Sequence, residues 1–115
     1  MDFNIKLIAI TKGAEGSELI HEGRAVSIPA YRVEAVDPTG AGDAYMAALL
    51  AALYSMGKLE DIVLSEEELR LAGRFANIVA ALSTTKRGAW STPRVESLQE
   101  IPEIRPIAER LMALK

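Results

Sequence analysis

The spacing of hydrophobic positions changes several times along the chain, and each change predicts an element. IKLIAIT, Ile5 to Thr11, is a short apolar run rich in β-branched residues and predicts a buried strand. KGAEGS, Lys12 to Ser17, carries two glycines and predicts a sharp loop. SELIH and RAVSIPAY follow as two short runs separated by Glu22 and Gly23, which have the length and turn chemistry of a β-hairpin. Pro29 has no N–H to donate, so it keeps the second run from being a long central strand.

After an extended piece, YRVEAV, the pattern turns helical. Ala41 to Met56 is strong helix-forming sequence, and Gly57 offers a C-terminal stop with Lys58 just beyond. Apolar residues fall on nearly every face of that helix, which predicts burial by neighbours on several sides. Ser65 and Glu68 form a Ser-x-x-Glu capping box and open a second helix, with Leu69, Ala72, Ala76, Val79, Ala80 and Ser83 along one side. It ends near KRGAWSTP, Lys86 to Pro93. Pro102 and Pro106 punctuate the remainder, which closes with a short surface helix.

Strands, then a glycine turn into a long helix, then more helix, is the order of part of an α/β sheet layered with helices. Ile5 to Thr11 is the one good candidate for the middle of a parallel sheet, and no internal repeat or low-complexity tract interrupts the order.

Composition narrows the function. The chain has 115 residues, half of them hydrophobic, and a formal net charge of -3, which fits a single globular domain. With no dense Lys and Arg run and few aromatics, nucleic acid and membrane are not expected partners, and a small polar ligand is. Cysteine is absent, so disulfides and thiolate metal sites are excluded. MDFNIKL lacks the basic segment and apolar core of a signal peptide, and a cytoplasmic location is expected.

The chemistry concentrates in DPTGAGDAY, Asp37 to Tyr45. Gly40 and Gly42 let successive amides of the turn approach one point, and the following helix adds its positive end; that geometry suits phosphate oxygens. Asp43 is itself an anion, so it needs a different partner. A carboxylate there can orient a hydroxyl that attacks phosphorus and accept its proton, as an alcohol kinase requires. The plain alternative is an acidic residue favoured by the helix dipole, with glycines that only make a tight turn. Gly-Lys-Ser/Thr is absent, so the turn is not a Walker A loop, and Tyr45 follows Ala44 where a third fingerprint glycine would stand.

DPTGAGDAYMAALL, Asp37 to Leu50, closely resembles the C-terminal signature of the PfkB family of carbohydrate kinases, which have the ribokinase-like fold. ITKGAEGS resembles that family's nucleotide loop, and FANIVAALSTTKRGAWSTP its late helix and cation loop. The resemblance implies the C-terminal part of a three-layer α/β/α sandwich, ATP-dependent phosphorylation of a sugar hydroxyl, and Mg²⁺ on the nucleotide. It makes Asp43 the general base and the amides of Gly40, Ala41, Gly42 and Asp43 the anion hole. Thr11, Gly13 and Gly16 would lie along the phosphates and ribose, and Asn77 near the adenine. For the two loop glycines a plain loop is the alternative, and for Asn77 a helix-packing hydrogen bond.

The same resemblance implies a monovalent cation, K⁺, beside the anion hole. Its ligands would be Asp37 and Thr39, the backbone carbonyls of Ser83, Lys86 and Gly88, and Ser91, with Thr92 competing for the last place. An ordinary turn-initiating role is the alternative for Asp37. His21, the only histidine, is expected to face solvent from the hairpin. Trp90 is expected to pack, Lys86 and Arg87 to answer the helix dipole, and Lys12 to be a solvated loop lysine.

TKGAEGS, YMAALL and STTKRGAWSTP look most like the fructokinase branch, which implies fructose as the sugar. Residues 1–115 would then be the C-terminal part of the kinase domain. The family's N-terminal sugar-binding half, its lid and its Asn-x-x-Glu motif have no counterpart here. A noncatalytic ATP-binding or interaction module is the alternative function. An exposed sheet edge and helix face would lead the chain to form a homo-oligomer or dock to that N-terminal half.

Overall fold

The structure is a computed structural model and describes residues 6–85 and 95–113. Strands β1 (Ile8–Thr11), β2 (Ser17–His21) and β3 (Arg24–Ile28) pair in sequence order, antiparallel throughout. Helices α1 (Ala41–Ser55), α2 (Glu66–Ser83), α3 (Val95–Leu98) and α4 (Arg105–Met112) follow.

The expected hairpin is present. Its two turn residues, Glu22 and Gly23, have φ of 51° and 76°, the doubly positive turn whose twist matches paired strands. β3 stops at Ile28, directly before Pro29. Leu19, Val26 and Ile28 point to one face and are buried beneath α2. Gly73 permits that contact: a Cβ there would lie 2.7 Å from Ile28 and 2.9 Å from Leu19 side-chain carbons.

The first strand differs from its expectation. It is an outer, antiparallel strand, and Ile8 and Ile10 are 41% and 42% exposed. A five-residue loop joins it to β2, too short for the crossover that a parallel neighbour requires. Its apolar residues also alternate onto the sheet face opposite α2, which no described helix covers.

α1 ends as its glycine predicts. Gly57 has φ 70°, its N–H donates to the Tyr54 carbonyl, and the Lys58 N–H donates to the Leu53 carbonyl, which together satisfy the last turn. Burial along α1 corrects the expectation of neighbours on several sides. Ala44, Tyr45, Ala48, Leu49, Ala52 and Leu53 form one buried stripe, whereas Met46, Leu50 and Tyr54 stay about half exposed. α2 and α4 cover one side only, and no described element packs on the other. α4 is the expected short surface helix, with Ile107 and Ala108 fully buried along its inner side and Ile104, which precedes it, buried as well.

His21 is a second correction. The ring is 4% exposed, with Nδ1 2.6 Å from the Lys6 carbonyl and Nε2 accepting from the Leu64 N–H at 3.1 Å. A ring that accepts at Nε2 carries its proton on Nδ1, which donates to Lys6. The alternation of β2 explains the error: Ser17, Leu19 and His21 share the inward face, and two backbone partners make burial of the imidazole tolerable.

Candidate functional site

The glycine turn is built by three local interactions. Asp37 Oδ1 accepts from the Thr39 N–H at 2.9 Å, the side-chain turn that Asp favours before Pro. Gly40 then takes φ 82° and ψ 1°, and the Ala41 N–H donates to the Pro38 carbonyl at 3.1 Å. These are the values of the third position of a type II turn, where glycine avoids the left-handed penalty. The first helical bond runs from the Ala44 N–H to the Gly40 carbonyl at 2.9 Å.

Ala41's amide is therefore occupied within the turn. Gly40, Gly42 and Asp43 N–H groups have no acceptor among the described residues, so they are the amides able to face an anion. The Asp43 side chain is exposed and has no hydrogen-bond partner among the described residues.

The turn is anchored from the far end of α2. Val36 and Asp37 N–H groups both donate to the Thr84 carbonyl, at 2.6 and 2.9 Å. Asp37 and Thr39 thus lie beside the helix end that carries Ser83. A carboxylate and helix-end carbonyls make a donor set suited to a hard cation. Lys86, Gly88 and Ser91 lie outside the described residues, as do Arg87, Trp90 and Thr92. Among the described residues, no group of three or more His, Cys, Asp or Glu could hold a metal ion.

A cleft of about 450 Å³ opens next to the turn. Thr11, Gly13 and Gly16 line it from the β1–β2 loop, Ala41 and Gly42 from the start of α1, and Asn77 from α2. Asp43 and Gly40 are not part of its wall. Tyr31, Arg32 and Val33 form a further side. Gly16 has φ 103°, and a Cβ would sit 2.2 Å from the Ile28 carbonyl oxygen, so a larger residue would push the loop off the sheet. Gly13, at φ 58°, faces open space instead.

Asn77 lines this cleft with its carboxamide already engaged. Nδ2 donates to the Ile28 and Pro29 carbonyls at 3.2 and 3.0 Å, while Oδ1 accepts from the Ser17 hydroxyl at 2.9 Å. Ser17 in turn accepts from the Tyr45 hydroxyl at 2.9 Å. Burial raises the Tyr45 pKa above the usual phenol value, against the smaller opposing effect of the Ser17 hydrogen bond.

Ser17, Tyr45 and Thr84 were not expected at the site. Tyr45 lies four residues after Ala41 and so shares its helix face, and Ser17 directly follows Gly16; both signals were present. Nothing local marks the Thr84 carbonyl.

The sequence profile of the pfkB family carbohydrate kinase matches residues 2–95. The chain belongs to the pfkB carbohydrate kinase family. Three members show how close the likeness is. A sugar kinase of Pyrococcus horikoshii, PH1459, solved in complex with ATP, is 47% identical with TM-score 0.75, covering 89% of this chain and 31% of that one. Fructokinase-2 of Zea mays is 37% identical over 98 residues, covering 84% of this chain and 28% of that protein. The fructokinase of Vibrio cholerae O395, solved with fructose, ADP and calcium ion, is 29% identical with TM-score 0.70, covering 84% of this chain and 30% of that one. This pfkB chain has the ribokinase-like fold and spans about 30% of the length of the curated relatives it matches. Among its described residues, no helix is long and apolar enough to cross a membrane.

Proposed function

We propose that the chain supplies the nucleotide and phosphoryl-transfer part of an ATP-dependent sugar kinase, as residues 1–115 of its C-terminal portion, with fructose as the sugar. The observation that carries this reading is convergence: Thr11, Gly13 and Gly16 meet Ala41, Gly42 and Asn77 around one cleft, although they come from segments far apart in the sequence. ATP would lie there, with its transferred phosphoryl group against the Gly40, Gly42 and Asp43 amides. The names of the relatives, fructokinases among them, support the choice of sugar.

Asp43 would act as the base. The sugar hydroxyl oxygen forms a bond to the γ-phosphorus, the bond from that phosphorus to the ADP oxygen breaks, and the hydroxyl proton passes to the carboxylate. The exposed side chain suits this role, since a substrate hydroxyl can reach it between base and phosphoryl group. Oriented amides would stabilise charge on the phosphoryl oxygens without rearranging. Asp37, Thr39 and the Ser83 carbonyl, together with Lys86, Gly88 and Ser91, would hold K⁺, and Mg²⁺ would arrive on the nucleotide. These cations would offset negative charge on the phosphates.

A second reading, a noncatalytic ATP-binding or interaction module, is favoured by the position of Gly40 and Asp43 outside the cleft wall. Sugar positioning supplies much of the rate in such a transfer, and positioning groups elsewhere in a kinase would be needed. Met46, Leu50 and Tyr54, half exposed along α1, support contact with such a sugar-binding half or with a second copy. The test is phosphorylation of fructose by the purified chain with ATP, alongside Asp43→Ala and a calorimetric titration with ATP. Turnover abolished by Asp43→Ala is expected for the kinase; turnover that survives it removes Asp43 as base. ATP binding without turnover favours an ATP-binding module, and no ATP binding overturns the kinase reading and leaves the interaction module.

A further inference from the structure

The cleft's two walls are joined by one chain of hydrogen bonds, two of whose members, Tyr45 and Asn77, line the cleft themselves. Tyr45, in α1, donates to Ser17 at the start of β2; Ser17 donates to Asn77 in α2; Asn77 donates to the carbonyls that end β3. Four elements meet through three side chains, and all three are buried: Tyr45 is 3% exposed, Ser17 2% and Asn77 7%.

The direction of this chain is fixed. Both Asn77 amide hydrogens face backbone carbonyls, so Oδ1 must face Ser17, and the Ser17 proton must point to it. Ser17 can then only accept from Tyr45. A buried phenol hydroxyl is costly without such a partner, and a phenylalanine would fill the same space without that cost. The hydroxyl therefore has a task beyond packing.

Its position indicates the task. Tyr45 is one turn beyond Ala41 and Gly42 on α1, while Ser17 directly follows Gly16 of the loop. The Tyr45–Ser17 bond thus sets the distance between the loop wall and the glycine-turn wall. We propose that Tyr45 is a positioning residue, whose hydroxyl, through Ser17 and Asn77, holds the α1 amides and the β1–β2 loop in register for one nucleotide. This inference rests on the proposed nucleotide site for its ligand, and on the hydrogen-bond chain alone for its geometry.

The experiment compares the wild-type chain with Tyr45→Phe, Ser17→Ala and the double variant, reading ATP affinity by calorimetry and amide hydrogen exchange without nucleotide. Each single variant is expected to weaken ATP binding about three- to tenfold, the scale of one lost hydrogen bond, with the double no weaker than the worse single. Exchange is expected to quicken together at the hydrogen-bonded amides of the two walls, Lys12, Glu15 and Gly16 on one and Ala41 and Ala44 on the other, while the start of α2 is unchanged. Additive affinity losses, an unchanged pattern of exchange, or a uniform rise across the sheet would overturn the proposal. Should the wild type bind no ATP, the nucleotide reading fails, and the exchange pattern still decides whether Tyr45 couples the two walls.

Discussion

α2 begins on Ser65, whose hydroxyl accepts from the Glu68 N–H at 3.1 Å while the Glu68 carboxylate accepts from the Ser65 N–H at 3.0 Å. α1 begins on Gly40, which has no side chain to cap anything and leaves the Gly42 and Asp43 amides without an acceptor among the described residues. One helix start is closed upon itself; the other is open beside a cleft. The same four orphan amides that every helix begins with can serve stability or a ligand, and the residue at the cap decides which. Changes at the α1 start should therefore be read in ATP chemistry, and changes at the α2 start in stability.

The sharpest break between the two is Asp43→Asn. If Asp43 is the proposed base, its loss is expected to slow phosphorylation of the proposed substrate, fructose, by about 10²- to 10⁴-fold. ATP affinity should stay close to wild type, because the amides remain. Thermal stability should fall by no more than about 1 kcal/mol, since only an exposed first-turn charge is lost. A large drop in melting temperature with proportionate loss of turnover would make Asp43 a structural residue like Glu68.

Gly40→Ala comes next and tests whether the open start depends on its backbone. Gly40 sits at φ 82°, where an alanine costs about 1–2 kcal/mol. Urea denaturation should show that loss, and ATP titration should show weaker binding as the turn relaxes. At the other helix, Ser65→Ala is expected to cost about 1 kcal/mol with ATP affinity unchanged. If Ser65→Ala weakened ATP binding as Gly40→Ala does, the division between the two helix starts would fail.

The two starts were not equally legible in the sequence. Ser65 and Glu68 announce their geometry because a capping box is wholly local: four residues hold both partners. The glycine turn was legible in outline for the same reason, and its Ala41–Pro38 bond was not, since it depends on the left-handed backbone at Gly40. Longer-range features were harder. The Tyr45–Ser17–Asn77 chain links residues 28 and 60 positions apart, which no local pattern reports. His21 was misjudged because its partners, Lys6 and Leu64, come from outside the hairpin. Ile8 and Ile10 were expected to be buried because apolar runs usually are, but burial requires a second layer that no described element supplies.

The smallest effect sharpens the comparison through pH. The Ser65 N–H hydrogen bond, before the weaker help of Lys58, the Ser65 hydroxyl and Arg110, holds the Glu68 carboxyl below the usual glutamate pKa, and slight burial opposes it. A pKa lowered by folding means that the charged form stabilises the native state. That contribution is complete above the unfolded glutamate pKa and is lost as pH falls through the lowered native value. Glu68→Gln keeps an oxygen for the Ser65 N–H but removes the charge, so at neutral pH it should cost only a few tenths of a kcal/mol, solvent screening keeping it small. The gap between wild type and Glu68→Gln, followed by urea denaturation from neutral pH into acid, should therefore narrow and close. A gap for Glu68→Gln that held constant into acid would mean that the closed start owes its stability to shape alone, and the electrostatic half of the contrast would go.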